Sequence, residues 1–192
     1  VIHFAGLKSV SDSLENPLNY WEVNVLGTIK LLQVMEKNNC YRIIFSSSAT
    51  IYGIPKDLPL KETSEIKPVN TYGDTKAAIE RILRDVSKSN PSKWRIVTLR
   101  YFNPVGAHPT GQIGEDPLSE PNNLFPYISQ VAIGRRKILS IFGDNWPTFD
   151  GTGVRDYIHI MDLAEAHIAS LEFLLKSSST LLNLNIGTGK GI

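Results

Sequence analysis

Short apolar runs rich in β-forming residues, set between longer stretches of helical periodicity, constrain this chain more than any single residue does. Arg42-Ile43-Ile44-Phe45 is a run of buried-strand type, residues 94–102 contain Ile96, Val97 and Thr98, and Leu181-Leu182-Asn183-Leu184-Asn185-Ile186 is a third. A further strand is expected over 1–5, ending at Gly6-Leu7-Lys8. Between these runs, residues 17–37 place Val25, Ile29, Leu32 and Met35 on one side of a helix. Residues 72–88 read as a second helix, stopped by Asn90-Pro91. Strands alternating with helices predict parallel βαβ units and a doubly wound sheet.

After Asn103 the rhythm changes. Residues 104–121 hold many glycines and prolines and read as loop, 123–135 as helix, 138–142 as a short strand and 144–153 as a turn-rich loop. Residues 162–176 read as a helix with Asp162 as N-cap, because its carboxylate can accept orphan N–H groups.

The chemistry-bearing residues gather in the first part. In Asn70-Thr71-Tyr72-Gly73-Asp74-Thr75-Lys76, Tyr72 and Lys76 stand four apart at the start of a helix and share one face. A nearby cation favours phenolate, which predicts a Tyr72 pKa below its ordinary value of about 10 and makes Tyr72 a candidate acid/base. The run 42–45 leads into Ser46-Ser47-Ser48, and ligands of open α/β sheets bind at the carboxyl ends of strands. Ser48 stands where it can exchange a hydrogen bond with a substrate hydroxyl. Serines at a strand end also commonly satisfy backbone groups, and a lone Tyr-x-x-x-Lys recurs by chance.

Ser48, Tyr72 and Lys76 together resemble the catalytic trio of the short-chain dehydrogenase/reductase superfamily. The likeness narrows with Val1-Ile2-His3-Phe4-Ala5-Gly6-Leu7-Lys8, Phe45-Ser46-Ser47-Ser48-Ala49-Thr50-Ile51-Tyr52-Gly53 and Arg100-Tyr101-Phe102-Asn103-Pro104-Val105-Gly106-Ala107-His108-Pro109. With Pro121-Asn122-Asn123-Leu124 and Asp150-Gly151-Thr152-Gly153-Val154-Arg155-Asp156-Tyr157-Ile158-His159, these blocks resemble the UDP-glucose 4-epimerase family in its own order.

The resemblance implies an α/β fold: a partial doubly wound parallel-sheet (Rossmann-like) NAD-binding domain over 1–103 and part of a smaller substrate-binding cap over 104–180. The strand in 181–192 is then expected to return to the nucleotide-binding sheet. The implied activity is reversible C4 epimerisation of UDP-glucose and UDP-galactose, in galactose metabolism, through retained NAD and a 4-keto sugar. Tyr72 is implied as base, Lys76 as its support and a cofactor contact, and Ser48 as partner of the reacting oxygen. Phe4, Ala5, Gly6, Leu7, Lys8, Asn24 and Phe102 match cofactor positions. Asn103, Asn123, Leu139, Ser140, Phe142 and Arg155 match substrate positions, Arg155 as a diphosphate ligand suited by its bidentate geometry. Each has an ordinary alternative: an exposed lysine for Lys8, a core aromatic for Phe102, loop and cap chemistry for the asparagines, core strand for 139–142, and a salt bridge to Asp156 for Arg155.

Composition narrows the field. A formal net charge of +1 gives no electrostatic case for nucleic acid or an anionic membrane, and 42% hydrophobic content is ordinary for a globular protein. The single cysteine, Cys40, excludes an internal disulfide, and His3, His108, His159 and His167 lack metal-ligand spacing, so no metal is expected. No apolar stretch reaches membrane-spanning length, and a cytosolic setting is the default expectation. The sequence opens on a strand-like run and contains no Gly-x-x-Gly-x-x-Gly turn or P-loop to cradle a pyrophosphate. It therefore reads as an internal fragment, expected to hold NAD poorly and to be inactive alone, with a homodimer implied for the full-length protein. Two further readings stay open: another nucleotide-sugar epimerase, acting on N-acetylhexosamine or uronate, and a non-catalytic sugar-nucleotide binder. Dehydratase relatives carry acidic residues after the equivalent serine, where this chain has Ala49-Thr50.

Overall fold

Side chains alternate across a strand, and the computed structural model, which describes residues 1–117 and 120–192, sends the two sets into two separate cores. In β2 (Arg42–Ser48) and β3 (Arg95–Tyr101), Ile43, Phe45 and Ile96 pack with Leu32, Met35, Ile79, Leu83 and Trp94. Ile44, Val97 and Leu99 point the other way and pack with Leu174. With β1 (Ile2–His3) and β6 (Thr180–Ile186), these strands form an all-parallel sheet ordered β1-β2-β3-β6. Helices cover both faces, α4 (Thr71–Ser89) on one and α6 (Ile160–Lys176) on the other. Ser48 is level with Tyr101, and Tyr101 with Ile186, so three strands finish together. The doubly wound α/β fold is as expected, β6 lies beside β3, and β1 is shorter than 1–5.

The link from β1 to β2 departs from a simple helix. Ser9 accepts from the Asp12 backbone N–H and caps α1 (Val10–Glu15), which sequence reasoning did not anticipate. Next come α2 (Pro17–Tyr20), a π-helical turn at Trp21–Leu26 and α3 (Gly27–Lys37). The wider turn shifts the helical phase, so the buried positions are Tyr20, Asn24, Thr28, Leu32 and Met35, while Val25 and Ile29 are half-buried. Polar residues can face inward here because they have partners: Thr28 Oγ1 donates to the Asn24 carbonyl at 2.6 Å and accepts from His3 Nε2 at 2.9 Å.

Asn70 caps α4 by accepting from the Gly73 N–H at 2.8 Å, and the helix ends at Asn90, before Pro91. Asp162 is not the cap of α6. His159 Nδ1 accepts from the Met161 N–H at 3.2 Å and takes that role, leaving Asp162 in the first turn, where its charge suits the helix dipole.

Beyond β3 lies a second, two-stranded parallel sheet, unforeseen from sequence, that pairs β4 (Asn103–Val105) with β5 (Tyr157–His159). Between them α5 spans Leu124–Ala132, shorter than 123–135. The loop expected over 104–121 is interrupted at its start by β4, and residues 118–119 fall outside the described residues. The strand expected over 138–142 does not form. No partner strand lies beside it among the described residues, and Ile138, Leu139, Ile141 and Phe142 stay exposed. Apolar composition without a ladder partner does not make a strand.

Asp156 ties the two sheets together. Its carbonyl accepts from the Asn103 N–H at 3.0 Å. Its carboxylate accepts from the Thr188 N–H and hydroxyl and from the Gly189 N–H, each at 2.8 Å, just past the end of β6.

Candidate active site

The carboxyl end of β2 delivers Ser48 into a 3-10 turn, Ala49–Tyr52. Ser48 Oγ accepts from the Thr50 N–H at 3.2 Å and from the Thr50 hydroxyl at 3.0 Å. Both bonds use its lone pairs, so its own proton is left to donate outward. Opposite stand the first two turns of α4, where Tyr72 and Lys76 lie on one face. The Tyr72 backbone N–H donates to Ser13 Oγ at 3.2 Å, which docks the first turn on α1.

The electrostatics differ from the sequence expectation. Burial raises the Tyr72 pKa above its ordinary 10, and the Ser48 hydroxyl offsets this only in part. Lys76 Nζ lies 5.7 Å from the Tyr72 ring centre but donates to the Ser46 carbonyl at 2.8 Å. Its side chain is almost wholly buried, and desolvation lowers its pKa from 10.5 to about 8. Desolvation of both groups therefore outweighs the expected stabilisation of phenolate by the lysine. Burial also lowers the His3 pKa, with a smaller contribution from the charge of Lys76. Because Thr28 Oγ1 gives its proton to the Asn24 carbonyl, His3 Nε2 must carry the hydrogen between them.

The loop after β1 is shaped by Asn24, which is only 2% exposed. Its Oδ1 accepts from the Leu7 N–H at 2.7 Å, while Nδ2 donates to the Leu7 carbonyl at 3.0 Å and to Thr75 Oγ1 at 3.2 Å. Asn24 thus works as a clamp between the loop and α4, its amide protons both committed. Gly6, at φ 154°, lets the loop close on it, since a Cβ there would stand 2.9 Å from Asn24 Oδ1. Phe4, Ala5 and Lys8 are exposed and Leu7 is half-buried. The Phe4 ring stacks on His167 at 4.9 Å between centres. His167, in α6, donates from Nδ1 to the Leu163 carbonyl at 2.8 Å and accepts the Tyr101 hydroxyl proton at Nε2, 2.6 Å away.

The remaining candidates are dispersed. Phe102 is half-buried just past β3, close against Gly187, and Asn103 is half-buried in β4. Asn123 holds the N-cap position of α5 without a side-chain cap bond. Leu139, Ser140 and Phe142 are exposed, Phe142 by 91%. Arg155 is exposed and forms no ion pair with Asp156, whose carboxylate is taken up by 188–189; its Nη1 donates to the Val154 carbonyl at 2.8 Å. No described group of histidine, cysteine and carboxylate side chains could hold a metal ion, and no described helix is long and apolar enough to cross a membrane.

Sequence reasoning missed the most extensive polar cluster. Glu80, two turns beyond Tyr72, receives Arg100 Nε on Oε1 at 3.0 Å and Arg100 Nη2 on Oε2 at 2.7 Å, both side chains 2% exposed. Ser47 Oγ also donates to Glu80 Oε1, at 2.7 Å. Burial opposes the charge of Arg100, but the bonds to Glu80 more than offset it and its pKa is raised. The i+4 spacing from Lys76 to Glu80 was the available signal, a charged residue on the face that turns inward.

A parallel sheet with a strand-end serine facing a Tyr-x-x-x-Lys helix defines a scaffold of the short-chain dehydrogenase/reductase type. Residues 1–187 match the NAD dependent epimerase/dehydratase family, and the chain belongs to that family. It is 57% identical over 194 residues to UDP-glucose 4-epimerase 2 of Arabidopsis thaliana, covering 100% of this chain and 55% of that protein. It is 54% identical to a pea (Pisum sativum) protein named as a bifunctional UDP-glucose 4-epimerase and UDP-xylose 4-epimerase, with 100% and 55% coverage. Among solved structures, UDP-glucose 4-epimerase from Bifidobacterium longum in complex with NAD+ and UDP superposes with a TM-score of 0.94 at 50% identity, covering 100% of this chain and 57% of that one. The chain spans about half the length of the curated relatives it matches.

Proposed function

We propose that this chain carries the catalytic half of a UDP-glucose 4-epimerase, with residues 1–103 in the cofactor domain, 104–180 in the substrate region and 181–192 returning to the sheet. The observation that carries the reading is the placement of Tyr72 and Lys76, one turn apart, opposite Ser48 at the carboxyl end of β2. The residues present suit the nicotinamide–ribose end of NAD. Lys76 spends one ammonium proton on Ser46 and keeps two for ribose hydroxyls, and the clamped loop over 4–8 offers backbone and an aromatic ring at the same strand-end side. NAD supplies, when bound, a hydride acceptor and donor that no side chain can replace.

Tyr72 would take the proton of the sugar 4-hydroxyl, the transfer that with NAD bound would leave a 4-keto sugar. Ser48 donates to the reacting oxygen and stabilises the charge that develops there, a contribution of about 3 kcal/mol for a well-placed donor. Lys76 would hold the cofactor ribose beside the Tyr72 ring. Once the sugar had turned, Tyr72 would give the proton back to the same oxygen. The positions Asn103, Asn123, Leu139, Ser140, Phe142 and Arg155 are assigned to the UDP-sugar only through the family resemblance.

The test is conversion of UDP-galactose to UDP-glucose by the full-length polypeptide carrying this chain, without added NAD, beside its Tyr72→Phe variant. Turnover that falls by at least about a hundredfold in the variant supports a tyrosine base. Absence of turnover even with NAD supplied overturns the reading. UDP-xylose belongs in the same assay, because the pea relative is named for both substrates. The reading extends to a homodimer through helices of the cofactor domain and to a cytosolic setting, checked by light scattering and fractionation.

A further inference from the structure

We infer that the buried Glu80–Arg100 pair is a positioning device that sets the spacing between Ser48 and the Tyr72–Lys76 face, a step that rests on the catalytic reading above. Five structural segments meet on it. Glu80 continues the stripe of Tyr72 and Lys76 along α4 at the same four-residue spacing, on the buried face. Its Oε1 accepts from Ser47 Oγ at 2.7 Å, so the helix is fixed to β2 one residue before Ser48. Arg100, on β3, closes a two-point bridge to Glu80 and extends Nη1 to the Tyr52 hydroxyl at 2.7 Å and to the Glu62 carbonyl at 3.0 Å. Tyr52 ends the 3-10 turn that Ser48 begins, and its hydroxyl donates to Asn185 Oδ1 on β6 at 2.6 Å. Ser48 is therefore bracketed on both sides by residues bonded to one ion pair, and Lys76 is one helical turn from the same pair.

Stability alone is a poor reason for such a pair. Removing two charges from water costs about as much as their attraction returns, and apolar residues of like volume often serve as well. What the bidentate guanidinium–carboxylate bridge adds is direction, because it holds only in one relative placement of α4, β2 and β3. Hydride must leave C4 as the proton leaves the oxygen bonded to it, so a shift of about 1 Å between Ser48 and Tyr72 is enough to slow the step by orders of magnitude.

The experiment compares Ser47→Ala, Tyr52→Phe and Glu80→Gln in the full-length polypeptide carrying this chain, following kcat and KM for UDP-galactose, the Tm, and the Lys76 ammonium titration by 15N-lysine NMR. We expect kcat to fall about tenfold or more in each folded variant with KM changed less than about twofold. The Lys76 titration should move by about half a pH unit or more. Loss of Tm with kcat and the Lys76 titration unchanged overturns the inference. Ser47→Ala and Tyr52→Phe each remove one hydrogen bond and keep the test decisive if Glu80→Gln does not fold. If the unsubstituted polypeptide fails to turn over UDP-galactose, the functional reading is lost. The Lys76 titration then decides the positioning role alone: movement in the variants supports it and constancy overturns it.

Discussion

Lys76 Nζ sits 5.7 Å from the centre of the Tyr72 ring, yet the hydrogen bond it makes runs to the Ser46 carbonyl. The ammonium is thus anchored to β2 and lies beside the phenol without sharing its oxygen. In the ligand-free chain, burial keeps Tyr72 protonated. Its ionisation is expected above pH 10, read as the difference in alkaline absorbance between the chain and Tyr72→Phe. A component near neutrality that vanishes in the variant would contradict this.

Lys76 makes stability depend on pH in an unusual direction. The unfolded chain holds this proton up to 10.5 and the folded chain only to about 8, so between those values the unfolded state binds more protons. Stability therefore rises with pH across that window. Lys76→Met should be the more stable protein at pH 7, and its advantage should shrink by about 3 kcal/mol between pH 8 and 10.5. Urea unfolding at several pH values checks both the sign and the closing gap.

Glu80→Ala leaves Arg100 charged and buried with its carboxylate gone. A loss of about 3–5 kcal/mol is expected, against a much smaller one when Glu80 and Arg100 are replaced together by leucine and methionine. Comparing the single and double variants by denaturant unfolding separates the cost of an unpaired charge from the net worth of the pair.

Asn24→Leu keeps the volume but removes three hydrogen bonds, two of them to the Leu7 backbone. Leaving those groups unsatisfied should cost about 1–3 kcal/mol, and amide exchange over residues 5–8 should quicken while the core of the sheet stays protected. Unchanged exchange in that loop would show that Asn24 is not its clamp.

Phe142 offers the opposite case. At 91% exposure it has little to lose, so Phe142→Ser should change the stability of this chain by less than about 0.5 kcal/mol. A loss of about 2 kcal/mol or more by denaturant unfolding would mean that the ring is buried in solution.

The sheet was legible because its strands are covered on both faces and therefore read as continuous apolar runs, as in 42–45 and 94–102. The shared face of Tyr72 and Lys76 was legible because they lie one turn apart on a helix. In 17–37 the apolar face with Leu32, Met35 and Val25 was read, while the inward-facing Asn24 and Thr28 were not, because a π-helical turn changes the phase without any residue type that announces it. The short strands β4 and β5 have three residues each, too few for a period to show, and their partners lie more than fifty positions apart. Residues 138–142 carried the right composition for a strand but no ladder partner. The Glu80–Arg100 cluster escaped because its members look like surface charges until the fold brings them together.

The pairing of β4 with β5, fastened to the main sheet by Asp156, fixes both ends of everything between residues 106 and 156. A segment pinned at both ends can lengthen, shorten or change composition at little entropic cost, since loop closure grows only slowly with length. The intervening chain is therefore an exchangeable module, free to change while Ser48, Tyr72 and Lys76 keep their register on the sheet and helix that hold them.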